Sequence, residues 1–83
     1  MRLRQVLGTN LRRLRRERGW TQEELAYRAG LNRNYVGIIE RSENAATVDV
    51  LEQLARALNV SAAELLLDRP SSLAEDETYP LGG

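Results

Sequence analysis

The sequence predicts an all-α bundle of five short helices, and three of its features lead to that prediction. Apolar residues recur at intervals of three and four, as at Leu7, Leu11 and Leu14, which is the spacing of one helix face. Ser, Thr or Asn precedes most of the apolar runs, at positions where such residues cap helix N-termini. Gly19 and Gly30 follow two of the runs, as is typical of helix C-termini.

Length and composition exclude several classes of protein. A chain of 83 residues allows one domain with a small core. It has no Cys for disulfides or thiolate metal sites, and no His as a general base or metal ligand. No apolar run approaches the roughly 20 residues of a membrane span, and the N-terminus lacks the apolar core of a secretory signal. We therefore expect a soluble, cytoplasmic protein without metal or cofactor.

Charge is divided unevenly along the chain, although the formal net charge is zero. Residues 1–41 hold ten Arg against four Glu, a balance of +6, and residues 44–83 hold two Arg against seven Asp or Glu, a balance of −5. Every cation is Arg, which suits bidentate contacts with phosphate and guanine better than Lys does. This pattern indicates a basic working face in the N-terminal half. A solvated surface combined with an Arg-rich coding bias accounts for the charge equally well.

The first helix is predicted from about Leu3 to Arg18, and Gly19 ends it. Gly8 lies inside this helix, where it costs about 1 kcal/mol relative to Ala. We interpret it as a place where another helix approaches closely. Trp20 is expected to plug the core between helices.

The second and third helices are predicted to meet at a short corner. Thr21 caps the second helix with Glu24 completing a capping box, and Gly30 ends it with a positive φ. Asn32 caps the third helix, which is expected over residues 33–41. Two helices joined in this way form a helix-turn-helix. The residues that their crossing must bury are apolar: Leu25, Ala26, Ala29, Leu31, Val36 and Ile39.

Two further helices and a tail complete the chain. Thr47 caps the fourth helix, and Ser61 with Glu64 opens the fifth. Three adjacent leucines follow, which cannot all face one core, so at least one is expected to be exposed or to lie in an interface. The predicted dimer interface consists of Leu65, Leu66 and Leu67. We take residues 1–69 as the domain and residues 70–83 as an acidic, flexible tail.

The corner of the second and third helices carries a specific pattern: Thr21-Gln22-Glu23-Glu24-Leu25-Ala26, then Gly30, then Tyr35 through Ile39-Glu40-Arg41. This pattern resembles the Cro/C1-type (XRE, lambda repressor-like) helix-turn-helix family, and the likeness covers roughly residues 3–67. Asn32-Arg33-Asn34-Tyr35 is similar to small single-domain members, including controller proteins of restriction–modification systems. The resemblance implies a five-helix fold and a homodimer on double-stranded DNA. It also implies a partly palindromic operator, with the third helix in the major groove.

Base reading is assigned to the start and outer face of the third helix: Arg33, Asn34, Tyr35 and Ile38. Arg33 could bind guanine O6 and N7, and Asn34 could read adenine N6 and N7. Tyr35 lies on the flank, where core packing is the alternative. Ile38 could touch a thymine methyl, or be an ordinary exposed apolar residue. Gly37, the other outward position, would only permit close approach.

Six residues are predicted phosphate contacts, with a solvated surface as the alternative: Thr21, Gln22, Asn32, Arg41, Arg12 and Arg13. Gln22 resembles the phosphate-binding glutamine of the family, at a helix N-terminus that favours anions. Arg15 and Glu40 match a family pair, and we interpret them as a partly buried salt bridge that locks the orientation of the third helix.

Two positions depart from the family pattern. Ser42 stands where many relatives have Gly, so the third helix is expected to end without the usual left-handed glycine. Glu43 brings a negative charge close to the DNA backbone, so we expect modest non-specific affinity. A protein-binding module, such as an antitoxin-like partner that uses the fifth helix and acidic tail, is the alternative function. An enzyme is not expected, because there is no glycine-rich phosphate loop and Glu23 and Glu24 diverge on their helix.

Overall fold

The computed structural model describes residues 2–68, and within that range it contains five helices and no strand. The helices are α1 (Leu3–Glu17), α2 (Gln22–Ala29), α3 (Arg33–Glu40), α4 (Val48–Leu58) and α5 (Ala62–Leu65). The predicted all-α architecture is confirmed, and the predicted helix ends differ from these by one residue at α1 and α3. α3 packs against α1 and α2, while α5 packs against α1 and α4.

The predicted N-terminal caps of four helices are confirmed. The side-chain oxygens of Thr21, Asn32, Thr47 and Ser61 each accept a hydrogen bond from a backbone N–H in the first turn, at 2.8–3.2 Å. These bonds satisfy amides that have no partner within their helix. The predicted capping box at Glu24 is wrong in its second half, because the Glu24 carboxylate accepts from Arg28 Nε at 2.6 Å and not from the Thr21 backbone.

The four longer helices end in one backbone motif. A residue in the left-handed conformation, with φ of 60–73°, follows each of these helices. It is the first residue after α2 and α4, Gly30 and Asn59, and the second residue after α1 and α3, Gly19 and Ser42. After α3, the Ser42 N–H donates to Ile39 O and the Glu43 N–H to Ile38 O, both at 3.0 Å. As expected, α3 ends without a glycine, but Ser42 takes the left-handed conformation that glycine would have.

One apolar core joins all five helices. The inner-face residues predicted for α2 and α3 are buried: Leu25, Ala26, Ala29, Val36 and Ile39. Leu31, which lies between the two helices, is half-buried. Trp20 packs against the core, as expected, but it is not enclosed between the helices. Its ring is only half-buried and lies under two guanidinium groups, with Arg28 at 4.3 Å and Arg18 at 5.9 Å from the ring centroid.

Gly8 is a point of close approach between α1 and α3, and the predicted close approach of another helix is confirmed. A Cβ atom at this position would lie 2.7 Å from Ile39 O and 2.9 Å from Glu40 O. Both are backbone atoms, which cannot move aside as a flexible side chain can. The absence of a side chain at Gly8 therefore sets the distance between α1 and the end of α3.

The three adjacent leucines have different environments, which corrects the predicted dimer interface. Leu65 is fully buried in the core of the single chain, so it is not available to a second subunit. Leu66 is half-buried and Leu67 is 51% exposed. Asn10, which is 3% exposed, fixes this segment because its Nδ2 donates to Leu65 O at 2.8 Å and Leu67 O at 2.9 Å.

No helix in the described part of the chain is long and apolar enough to cross a membrane. The predicted tail at residues 70–83, and the domain boundary at residue 69, lie outside the described residues.

Candidate nucleic-acid interface

The N-terminal part of α2 and the outer face of α3 enclose an open groove on one side of the molecule. Polar side chains and one half-buried isoleucine line it: Arg15, Thr21, Gln22, Glu23, Arg33, Asn34, Gly37, Ile38 and Arg41. The groove contains three of the four predicted base-reading residues and three of the six predicted phosphate contacts. The helix-turn-helix crossing brings these residues together because α3 packs directly on α2.

The first turn of α3 projects into solvent beside this groove. Arg33 and Asn34 are exposed, and the Arg33 side chain is 64% accessible. Arg33 Nη1 lies 3.8 Å from Glu23 Oε1 on α2, a loose ion pair between two exposed groups. Tyr35 does not line the groove, and it is half-buried against the core, as the packing alternative expected.

Gly37 forms the floor of the groove, so it lies on the outer face of α3 as expected. It is buried beneath two side chains, and a Cβ atom here would lie 3.1 Å from Arg41 Nη1 and 3.4 Å from Gln22 Oε1. The absence of a side chain therefore gives the Gln22 amide and the Arg41 guanidinium room to lie across α3.

A buried carboxylate connects the three helices around the groove. Glu40 has a side chain that is only 1% exposed, and it accepts from Arg15 Nε at 2.6 Å and Arg15 Nη2 at 3.1 Å. Gln22 Nε2 donates to Glu40 Oε1 at 3.0 Å, and Arg15 Nη1 donates to Trp20 O at 2.8 Å. The ion pair predicted between Arg15 and Glu40 is therefore present, and Gln22 extends it to the surface.

The environment of Glu40 favours its ionised form. Burial alone raises the pKa of this carboxyl, but hydrogen bonds from Arg15 and Gln22 oppose it, as do the charges of Arg15 and Arg12. The net effect lowers the Glu40 pKa below its ordinary value of 4.5. An anion is thus held beneath the groove by three donors, which is the arrangement a buried charge requires.

Gln22 is held at the N-terminus of α2 by this network. One N–H of its side-chain amide is used by Glu40, and the second remains able to donate outward, because an NH2 group carries two donors. The sequence indicated Gln22 as a surface residue near phosphate, but it carried no sign that Glu40 orients the amide.

The three arginines predicted to contact phosphate all have partners within the chain. Arg12 Nη2 donates to Glu40 O at 3.1 Å, and Arg13 pairs with Glu17 at 3.2 Å. These two lie on a separate surface of α1 and do not line the groove. Arg41 does line it, but its Nε and Nη2 donate to the Glu43 carboxylate at 2.9 and 3.2 Å.

The chain is similar to proteins of one family. A helix-turn-helix family model matches residues 11–65. An uncharacterized HTH-type transcriptional regulator of Sinorhizobium fredii is 46% identical over 66 residues, which are 80% of this chain and 86% of that protein. Control protein C.SmaI of Serratia marcescens is 41% identical over 66 residues, covering 80% of this chain and 79% of its own length.

Solved structures show the same similarity. A hypothetical transcription factor from Neisseria superposes with a TM-score of 0.79 at 40% identity, covering 93% of this chain and 86% of that one. SinR, described as a master regulator for biofilm formation and solved in complex with DNA, superposes with a TM-score of 0.70 at 32% identity. That match covers 74% of this chain and 98% of the SinR chain.

Proposed function

This chain belongs to the Cro/C1-type helix-turn-helix family of transcriptional regulators, and we propose that it binds a partly palindromic operator as a homodimer. In this proposal α3 enters the major groove of double-stranded DNA. The observation that carries it is the groove between α2 and α3, because base-reading side chains and a helix N-terminus share one open face. The cytoplasmic location expected from the sequence is part of the same proposal.

Sequence reading is proposed for the exposed first turn of α3. Arg33 and Asn34 are free of the core and carry the donors and acceptors that distinguish guanine and adenine in the major groove. Ile38, one turn further along, is half-buried and could contact a thymine methyl. Tyr35 is a weaker candidate for base reading because its ring packs against the core.

Phosphate binding is proposed for the N-terminus of α2. Unpaired backbone N–H groups and the positive end of the helix dipole favour an anion there. Gln22 is oriented by Glu40 and has a second amide N–H to donate. The exposed Asn32 and Thr21 flank the two helix starts. Arg12 and Arg13 would act only at the edge of this surface, because they lie on α1 outside the groove.

A second groove, which is apolar, supports the proposal of a homodimer. Two of the four large hydrophobic side chains that are exposed in the described range line it, Leu3 and Val48. The exposed Leu67 directly follows the lining residue Leu66 in the chain. Leu7, Leu51 and Leu66 also contribute to its lining or its edge. It shares no residue with the groove between α2 and α3. A second copy of the chain bound here would cover these side chains and leave both DNA-binding faces accessible, about 34 Å apart on adjacent turns of DNA.

The DNA-binding proposal is tested by selecting bound sequences from random duplex DNA and then measuring affinity for the selected operator. Arg33→Ala should weaken operator binding by roughly 1–3 kcal/mol and relax the preference at one base pair of each half-site. Arg56→Ala is the matched control, because it removes another exposed arginine of an ion pair, which contacts Glu52 on α4. If Arg33→Ala and Arg56→Ala lose the same amount of operator affinity, the proposal that α3 reads the base sequence is contradicted.

The dimer proposal is tested by sedimentation equilibrium. Val48→Asp places a charge in the apolar groove, and we expect it to raise the dimer dissociation constant at least about tenfold, or about 1.4 kcal/mol. Tyr27→Asp is the control, because Tyr27 is 82% exposed, as Val48 is at 81%, but lies outside that groove. A wild-type chain that stays monomeric both alone and on operator DNA would contradict the proposal.

A further inference from the structure

The geometry points to Glu43 as a specificity-determining residue: we propose that it holds Arg41 away from phosphate in non-specific complexes and releases it on operator DNA. This inference rests on the proposed function, since it concerns how the same face distinguishes two classes of DNA. Arg41, which directly follows α3, lines the groove between α2 and α3.

The Arg41–Glu43 pair is a two-point contact at the edge of that groove. Arg41 Nε and Nη2 both donate to the Glu43 carboxylate, at 2.9 and 3.2 Å. Their backbone positions are fixed by the end of α3, where the Arg41 N–H donates to Gly37 O and the Glu43 N–H to Ile38 O. The pair is therefore built into the helix terminus, and the free guanidinium edge is Nη1, which lies over Gly37.

The same pair is open to solvent, which makes it easy to exchange. The side chains of Arg41 and Glu43 are 53% and 54% exposed. Hydrogen bonding to Glu43 raises the pKa of Arg41, and hydrogen bonding to Arg41 lowers the pKa of Glu43, so both stay charged. Exposed ion pairs contribute little to stability, so a phosphate held at the right place by the rest of the interface can replace the carboxylate.

The consequence differs between the two kinds of complex. In a loose, non-specific complex no phosphate is fixed near Arg41, so its charge remains neutralised by Glu43 and no counterion is released there. In the operator complex, base contacts from α3 fix the register, and Arg41 exchanges Glu43 for a phosphate. Glu43 thus withholds one phosphate contact from DNA that lacks the operator sequence.

The experiment measures binding of Glu43→Gln to a non-operator duplex and to the selected operator at several salt concentrations. Each added phosphate contact steepens the plot of log affinity against log salt by about 0.9. On non-operator DNA we expect this steepening, which means that the affinity gain over wild type grows about eightfold for each tenfold decrease in salt. On the operator we expect a smaller change, so the ratio of operator to non-operator affinity falls.

Two comparisons separate release of Arg41 from simpler effects of charge. Glu52→Gln removes the same charge from an exposed pair on α4, with Arg56 Nη2 at 3.4 Å, and should leave the salt slope unchanged. Glu43→Gln in an Arg41→Ala background should also leave it unchanged, because no guanidinium is then released.

The outcomes are distinguishable. An unchanged slope in Glu43→Gln, with wild-type operator binding intact, overturns this inference alone. The same steepening in the Arg41→Ala background also overturns it, because Glu43 would then act by direct repulsion of DNA. A wild-type chain that binds no selected DNA overturns the proposed function itself, before any variant is compared.

Discussion

Ser42→Gly should stabilise the protein because Ser42 has a backbone conformation that suits glycine. Its φ is 61°, in the left-handed region, which costs a residue with a Cβ atom about 1–2 kcal/mol. Two terms oppose the gain. The Ser42 hydroxyl donates to Arg4 O at 3.3 Å on the surface, and glycine adds freedom to the unfolded chain at a cost of about 0.4–1 kcal/mol. A net gain of roughly 0.5 kcal/mol remains, which corresponds to about 2–4 °C in melting temperature for a domain of this size.

Two further variants separate the backbone strain at Ser42 from its hydrogen bond to Arg4. The melting temperatures of wild type and all variants are measured by circular dichroism. Ser42→Ala keeps the Cβ atom and removes the hydroxyl, so it should lower the melting temperature slightly. Asn59→Gly changes the equivalent residue after α4, where φ is 60°, and should gain less because Asn tolerates this conformation better than Ser does. If Ser42→Gly melts below wild type and alongside Ser42→Ala, the hydrogen bond to Arg4 outweighs the backbone term and the reasoning fails.

Three further predictions concern stability. Gly8→Ala should destabilise the fold by about 1–3 kcal/mol in urea unfolding, despite its better helix propensity, because its Cβ atom meets two backbone oxygens of α3; a gain in stability would contradict the tight crossing. Asn10→Ala should cost about 1–3 kcal/mol because the carbonyls of Leu65 and Leu67 lose their buried donor, and unchanged stability would show that water replaces it. The lowered Glu40 pKa means that its stabilisation is present above pH 4.5 and is lost as the pH falls below that value. Wild type should therefore lose stability more steeply than Glu40→Gln below pH 4.5, and parallel profiles would contradict the shift.

Local signals explain why the fold could be predicted from the sequence. The caps at Thr21, Asn32, Thr47 and Ser61 act through bonds within three residues, so their positions mark the helix starts directly. The inner faces of α2 and α3 follow from helical spacing alone. The family pattern added the pairing of Arg15 with Glu40, which joins residues 25 positions apart and has no local signal.

The remaining features depend on packing between distant segments. Leu65, Leu66 and Leu67 are identical in sequence terms, and the bonds from Asn10 and the packing of α5 on α1 and α4 decide which one is buried. Arg12 looked as available to phosphate as Arg41 did, but the crossing of α1 and α3 brings it to Glu40 O. Only the assembled structure shows which surface each arginine occupies.

Glu40 has two roles that can be tested separately: its ion pair with Arg15 and its hydrogen bond with Gln22. A buried ion pair can often be replaced by apolar residues of similar size without loss of stability, whereas removal of one partner costs about 3–5 kcal/mol. Arg15→Met combined with Glu40→Leu should therefore unfold at a urea concentration close to that of wild type, while Arg15→Met alone should be much less stable.

The paired variant removes the acceptor that orients Gln22. Because Gln22 is proposed to contact phosphate, affinity for operator and non-operator DNA should fall together, by roughly 1 kcal/mol. Gln22→Ala is the control, and it should produce a similar loss in the wild type and almost none in the paired variant. If the paired variant is stable and binds DNA as tightly as wild type, the hydrogen bond from Gln22 to Glu40 is not needed for DNA binding.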